Sequence, residues 1–121
     1  MYRSVLIVDD HDGFRTRVRA LLDVAGYDVV GEAGDGSTGV TEAARLDPDL
    51  VLLDVQLPDI SGFEVARRLR EHHGSPAIVL ISSRDRSDYG GRIERSGADG
   101  FITKAELSPR ALASILQARR P

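Results

Sequence analysis

Short apolar runs and helical patterns alternate along the whole chain, five of each. We predict buried strands at residues 4–8, 27–33, 49–54, 77–82 and 100–103. Because these runs are apolar on both faces, they suit the strands of a parallel sheet that helices cover on both sides. Right-handed crossovers between successive strands then give an α/β fold, (βα)5, in which five parallel strands form a doubly wound sheet of order 2-1-3-4-5.

The third and fifth helices carry the clearest end signals. Ser61 stands three residues before Glu64, which is the spacing of a capping box, and the helical pattern that follows closes at Gly74. Ser108 is predicted to cap the last helix, with Pro109 at the first helical position. These signals predict where two of the five helices begin.

The fourth helix has the weakest pattern. Its segment, residues 87–97, contains Gly90 and Gly91 in succession, and each glycine costs a helix roughly 1 kcal/mol relative to alanine. Few apolar residues anchor the segment beyond Tyr89 and Ile93. The pattern predicts either an irregular, late-starting helix or a complete helix of marginal stability.

Length, net charge and amino-acid content restrict the kinds of protein that this chain can be. The chain has 121 residues, a length typical of one domain with its own core. Its net charge of −3 gives no overall basic field for nucleic acid, and it has no cysteine for disulfides or thiolate zinc sites. The sequence shows neither a signal peptide nor a membrane-spanning run, so we expect a cytoplasmic protein with no membrane partner. Lys104 is the only lysine among 16 basic residues, which indicates a position that needs a compact ammonium group.

Polar residues gather where the predicted strands end. Asp9 and Asp10 follow strand 1, Asp54 ends strand 3, Ser82 ends strand 4 and Lys104 follows strand 5. Open α/β sheets bind ligands outside the carboxyl ends of their strands, at the point where the strand order reverses. Strands 1 and 3 are neighbours in the predicted order, so the three carboxylates converge on one pocket. Oxygen ligands without cysteine suit a hard cation such as Mg²⁺.

These residues resemble the receiver domain of two-component response regulators. The stretch DVQLPDISG, residues 54–62, matches that family's pattern D-x-x-[L/M]-P-x-x-x-G, with Asp54 at the phosphoacceptor position. The other matching positions are the acidic pair Asp9 and Asp10, the hydroxyl position Ser82, the switch-aromatic position Phe101 and the lysine position Lys104. The resemblance covers essentially the whole chain and implies a flavodoxin-like fold.

The resemblance implies a chemical role for each residue. Asp54 is the nucleophile that accepts a phosphoryl group and becomes an aspartyl phosphate. Mg²⁺ neutralises phosphoryl oxygens and is held by Asp10, Asp54 and the backbone carbonyl of Gln56, while Asp9 acts through water. Lys104 supplies a positive charge to another phosphoryl oxygen.

The resemblance also implies a conformational switch. Ser82 moves toward the phosphoryl group and Phe101 rotates inward, which changes the face formed by helix 4, strand 5 and helix 5. Ser83 adjoins Ser82, and the spacing to Lys104 favours Ser82 as the switch hydroxyl.

Partners follow from the same resemblance. The phosphoryl donor is a sensor histidine kinase or a phosphotransfer protein, and the helix 1 surface helps to dock the kinase, which makes Arg15 and Arg19 candidate contacts. Ala105 after Lys104, where the family often has proline, is typical of the LuxR/NarL-type subgroup. We expect residues 1–121 to be one receiver domain that acts as a switch, not as a metabolic enzyme. A homodimer is one of the partners that we expect. The domain would control transcription by reaching DNA only through an output domain absent from this chain.

One enzymatic alternative fits the opening stretch. Haloacid dehalogenase-type phosphatases carry D-x-D-G-[TV], which would make Asp10 the nucleophile and Asp12 the acid/base, with Ser82 and Lys104 as later motifs. Phe14 stands where that family has Thr or Val. The alternative also leaves residues 54–62 unexplained.

Other features have plainer interpretations. The stretch GDGSTG, residues 34–39, fits a dinucleotide-binding pattern, but it follows strand 2 at the sheet edge, so we interpret it as a turn. Asp12 is predicted to cap helix 1. The arginines of helices 1 and 3 are predicted to lie on solvated faces. The three histidines, His11, His72 and His73, are predicted to be surface residues without a chemical role.

Overall fold

The computed structural model describes residues 2–71 and 76–119 and contains five strands and five helices. The strands are β1 (Ser4–Val8), β2 (Asp28–Ala33), β3 (Leu50–Asp54), β4 (Ala77–Ser82) and β5 (Gly100–Thr103). The helices are α1 (Asp12–Val24), α2 (Gly36–Leu46), α3 (Gly62–Arg70), α4 (Arg92–Arg95) and α5 (Pro109–Ala118). Short 3₁₀ turns span Arg86–Asp88 and Lys104–Glu106.

All neighbouring strands are parallel, in the order β2-β1-β3-β4-β5. The predicted (βα)5 doubly wound sheet is therefore confirmed. β1 pairs with β3 so that Val8 lies opposite Leu53. The next residue of each strand, Asp9 and Asp54, consequently reaches the same edge of the sheet.

The two faces of the sheet pack against different helices. Successive strand residues point to opposite faces, so Leu6 and Val8 join the cluster that contains Phe63 of α3, while Val5 and Ile7 join the other cluster, with α1 and α5 residues. All the strand residues of β3 and β4 are buried. Burial on both faces explains why these runs are apolar without alternation.

Predicted helix starts are confirmed for α3 and α5. Ser61 Oγ accepts a hydrogen bond from the Glu64 N–H at 3.2 Å, and Ser108 Oγ accepts one from the Ala111 N–H at 3.0 Å. α3 ends at Arg70, before the predicted end. Gly74, like His72 and His73, lies outside the described residues.

The prediction that Asp12 caps α1 is wrong. The N-cap position belongs to His11, which makes no side-chain capping bond, and Asp12 is the first helical residue. The Asp12 carboxylate instead accepts a hydrogen bond from the Arg15 guanidinium. Because Asp12 lies past the N-cap, its carboxylate pairs with a charged donor three residues along the same helix.

The fourth helix starts late, which is the first of the two alternatives left open by the glycine pair. Gly90 has φ of +55°, a left-handed conformation that interrupts any helix through this point. α4 follows as a single turn of four residues. Tyr89 and Ile93 are buried and hold the segment against the core. None of the described helices is long and apolar enough to cross a bilayer.

Candidate functional site

An acidic cluster forms where β1 and β3 end. Asp9 and Asp54 are buried, whereas Asp10 is exposed. Potential ligand atoms of Asp9, Asp10, His11 and Asp54 all lie within 4.8 Å of one another. The predicted convergence of the three carboxylates is confirmed, and the structure adds His11 to them.

Asp9 uses its two oxygens differently. Its Oδ1 accepts a hydrogen bond from the His11 N–H at 2.8 Å. Its Oδ2 is buried and forms an ion pair with Lys104, 2.7 Å from Nζ. Buried carboxylate oxygens need hydrogen-bond donors or charged partners. One ammonium group therefore faces three converging carboxylates, and a cation with its bound water would neutralise the remaining negative charge.

Lys104 joins the carboxylates from the far side of the pocket. Its Nζ donates a hydrogen bond to Asp54 Oδ2 at 3.2 Å and lies 4.3 Å from the centroid of the Phe14 ring. Burial alone would lower the pKa of Lys104, but the contacts with Asp9 and Asp54 outweigh it, so the pKa lies above its ordinary value. The ammonium therefore stays charged beside the carboxylates.

Asp54 has an unusually high pKa. Burial raises it from 3.8 to about 6, with the charge of Asp9 adding to the rise, while the Gln56 N–H and Lys104 act in the opposite direction. The Gln56 N–H donates to Asp54 Oδ1 at 3.1 Å. The desolvated carboxylate is thus a stronger base and nucleophile than an exposed aspartate.

We expect Asp54→Asn to stabilise the protein near neutral pH when a chelator removes metal ions. The pKa of Asp54 is about 6 in the folded chain against 3.8 ordinarily, so the folded state holds the proton more tightly. The free energy of unfolding therefore falls as the pH rises between these values, by at most about 3 kcal/mol. Asp54→Asn avoids this loss. Urea unfolding in EDTA should show that the variant exceeds the wild type in free energy of unfolding by more at about pH 7.5 than at about pH 4.5. An equal difference at both pH values would contradict the raised pKa.

Ser82 and Phe101 lie near the pocket but contact a different residue. The Ser82 side chain is buried, and its Oγ accepts a hydrogen bond from the Arg84 N–H at 3.0 Å. The same Oγ lies 2.6 Å from the Tyr89 hydroxyl. Among the described residues no hydrogen bond joins Ser82 to Asp54. The Phe101 ring is half-buried and packs edge-on against Tyr89 at 5.9 Å.

Two residues at the site were missed by sequence reasoning. His11 is a surface residue, as predicted, and its Nδ1 lies 3.1 Å from Asp10 Oδ1 and 3.2 Å from Asp9 Oδ1. Its place directly after the acidic pair was the available signal. Tyr89 was recognised only as a helix anchor, and nothing in the local sequence indicated its bond to Ser82.

Of the α1 arginines, Arg17 is exposed as predicted, whereas Arg15 and Arg19 are half-buried. The Arg15 side chain is only 16% exposed, and its guanidinium binds Glu32 of β2 at 2.9 Å and the backbone carbonyl of Asp9. Arg19 binds the same Glu32 at 2.7 Å. Arg15 therefore supports the chain directly behind the acidic cluster.

Only Gly34 and Asp35 of the glycine-rich stretch form the predicted turn after β2, because residues 36–39 are already the first turn of α2. β2 is an edge strand, and Asp35 caps α2 by accepting a hydrogen bond from the Thr38 N–H at 2.7 Å. The carboxylate of Asp59, from the loop after β3, accepts bonds from the N–H groups of Gly36 and Ser37 at 2.7 and 2.9 Å. These bonds hold the pKa of Asp59 well below its usual range. A protein carboxylate thus occupies the place where a dinucleotide phosphate would bind.

Comparison with known proteins gives consistent matches. A family profile described as "Response regulator receiver domain" matches residues 5–117. The response regulator GacA of Pseudomonas viridiflava is 38% identical over 117 residues, which are 96% of this chain and 53% of that protein. The nitrate/nitrite response regulator protein NarL of Escherichia coli strain K12 is 38% identical over 114 residues, which are 93% of this chain and 52% of NarL. This chain therefore spans about half the length of the curated relatives it matches.

Solved structures show the same similarity. The signal receiver domain of the putative response regulator NarL from Mycobacterium tuberculosis has a TM-score of 0.84 and 31% identity, with 97% of this chain and 95% of that chain covered. A LuxR-family two-component response regulator from Aurantimonas sp. SI85-9A1 has a TM-score of 0.85 and 29% identity, with 98% and 84% covered. These matches give no support to the phosphatase alternative with Asp10 as nucleophile.

Proposed function

This chain belongs to the response regulator receiver family, a family of signalling domains, and we propose that Asp54 is its phosphoacceptor. The observation that carries the proposal is the placement of Asp54. Its buried carboxylate ends β3, has a pKa of about 6 and lies within 3.2 Å of the Lys104 ammonium. A desolvated nucleophile beside a fixed positive charge suits the transfer of an anionic phosphoryl group.

We propose that Asp10, Asp54 and the Gln56 backbone carbonyl hold Mg²⁺, with Asp9 binding it through water. The cluster fits such an ion because its donors include carboxylate oxygens and because three carboxylates converge where Lys104 supplies one positive charge. When bound, Mg²⁺ supplies positive charge that neutralises phosphoryl oxygens.

The chain's own residues then perform the transfer. A carboxylate oxygen of Asp54 attacks the phosphorus atom of a phosphohistidine, the new O–P bond forms as the P–N bond breaks, and the histidine nitrogen keeps the electron pair. The Gln56 N–H orients Asp54 Oδ1, and the Lys104 ammonium neutralises negative charge beside Asp54 Oδ2.

We propose a sensor histidine kinase or a phosphotransfer protein as the donor, which places the chain in the cytoplasm. Phosphorylation would move Ser82 and Phe101 and change the face of α4, β5 and α5. Because this chain spans about half of GacA and NarL, we propose that the remaining half of a longer protein binds DNA and that this domain controls transcription through it. We further propose that phosphorylation favours a homodimer.

Uptake of phosphate tests the function directly. Incubated with acetyl phosphate and Mg²⁺, the chain should gain one phosphoryl group by intact-mass spectrometry. EDTA should prevent the gain, since nothing would then neutralise the transferred group. A chain that gains no phosphoryl group in Mg²⁺ would contradict the proposed function.

We expect Asp10→Ala to weaken Mg²⁺ binding by at least about tenfold, because it removes a direct ligand. Asp12→Ala is the matched control: its side chain is 91% exposed and binds Arg15 at the helix surface, so we expect less than about a twofold change. Backbone amide shifts in an NMR titration with Mg²⁺ measure both affinities. Equal losses at the two positions would contradict the proposed ligand set.

A further inference from the structure

We infer that Tyr89 is a positioning residue that holds the Ser82 hydroxyl away from Asp54 and so slows phosphorylation. The inference rests on the proposed function, because it concerns the reaction at Asp54. It starts from one short contact, the 2.6 Å between Tyr89 Oη and Ser82 Oγ. Both side chains are buried.

Packing fixes the Tyr89 hydroxyl independently of Ser82. The Tyr89 ring makes edge-to-face contacts with Phe63 at 5.4 Å and with Phe101 at 5.9 Å. Such aromatic pairs have a preferred geometry and hold a ring in place. The hydroxyl is therefore presented to Ser82 by a group of packed aromatic rings that spans α3 and β5.

Two arginines strengthen this aromatic group from outside. The Arg92 guanidinium lies 4.6 Å from the centroid of the Phe63 ring, and the Arg86 guanidinium lies 5.6 Å from that of Phe101. Both arginines belong to the same segment as Tyr89, one on each side of it. This segment therefore contacts the Phe63 and Phe101 rings through its two arginines, and the Tyr89 ring packs between those rings.

Ser82 has little freedom in this arrangement. Its Oγ already accepts a hydrogen bond from the Arg84 N–H at 3.0 Å, and its second partner is Tyr89. With Ser82 as the donor to Tyr89 Oη, the Ser82 hydroxyl must turn away from Tyr89 before it can donate to a phosphoryl oxygen on Asp54. That movement leaves a buried phenol without its partner, which costs free energy.

Tyr89→Phe removes this cost and keeps both aromatic contacts. We expect the variant to take up phosphate from acetyl phosphate about fivefold faster than the wild type, the factor that corresponds to roughly 1 kcal/mol for one hydrogen bond. Tyr27→Phe is the matched control, because Tyr27 packs on the other face of the sheet. Its uptake rate should equal that of the wild type.

A second pair of variants separates positioning from a general effect on packing. In a Ser82→Ala background the hydroxyl that Tyr89 holds is gone, so adding Tyr89→Phe should leave the uptake rate unchanged. A role in packing alone would change the rate by the same factor in both backgrounds. The four rates, measured by intact mass over time in Mg²⁺, form a double-mutant cycle.

The outcomes are distinct. A wild type that gains phosphate, with Tyr89→Phe no faster, overturns the inference and leaves the proposed function standing. An acceleration that persists in the Ser82→Ala background also overturns it. A wild type that gains no phosphate overturns the proposed function, and this inference with it.

Discussion

Asp54→Asn is expected to take up no phosphoryl group from acetyl phosphate and Mg²⁺, where the wild type takes up one. The amide has nearly the shape of the carboxylate but lacks its nucleophilic oxygen, so the fold survives while the reaction is lost. Asp54 Oδ1 accepts from the Gln56 N–H, and the amide oxygen can keep that bond. Intact-mass spectrometry after equal incubation gives the answer as presence or absence of one added group.

Asp10→Asn, measured in parallel, identifies the nucleophile. Asp10 is exposed and is proposed as a metal ligand, so its variant should still become phosphorylated on Asp54, only more slowly. Uptake that is kept in Asp54→Asn and lost in Asp10→Asn would instead identify Asp10 as the nucleophile and favour the phosphatase chemistry. Peptide mapping of the wild type locates the modified residue independently.

Gly62→Ala should destabilise the fold by about 3 kcal/mol or more. A Cβ atom at Gly62 would lie 2.2 Å from the backbone oxygen of Asp54 and 2.8 Å from Cα of Val55. Both are backbone atoms of the strand end, so no side chain can rotate to make room. Relief of the clash must push α3 away from β3. Urea unfolding measures the loss, and the displaced strand end should also lower the rate of phosphate uptake.

Gly13→Ala is the control for this substitution. Gly13 lies within α1, and a Cβ atom there would meet no atom within 4 Å. Alanine should stabilise the helix by up to about 1 kcal/mol. If the two variants changed the free energy of unfolding equally, the close approach of α3 to β3 could not be the cause.

The fold could be predicted because its signals are local. Buried parallel strands are apolar throughout, and the structure differs from the predicted bounds by one residue at the start of β2 and β3. Parallel strands with right-handed crossovers then bring every strand end to one edge. The meeting of Asp9, Asp10 and Asp54 follows from that geometry alone.

The contacts at the site that could not be predicted join side chains that lie far apart in the sequence. Lys104 stacks on Phe14 of α1, and the Asp59 carboxylate binds the start of α2, 23 residues before it. Tyr89 contacts Ser82 from a segment in which a left-handed glycine follows it and α4 starts late. No periodicity or capping rule encodes such contacts, since they depend on how finished elements pack.

Two contacts, at its base and at its midpoint, fix the length of the loop from Asp54 to Gly62. It is closed at its base, where the Gly62 N–H bonds to the Val55 carbonyl at 2.8 Å, and it is fastened midway by Asp59 on the α2 N-terminus. A surface loop usually tolerates an inserted or deleted residue at its tip. Here the tip residue, Asp59, is hydrogen-bonded to the start of α2. One residue more or fewer would release either the base or the midpoint. The distance from the reactive carboxylate to the start of α3 is therefore set by residue count, so a change in the length of this loop should disturb the site more than a substitution at a position that makes neither contact.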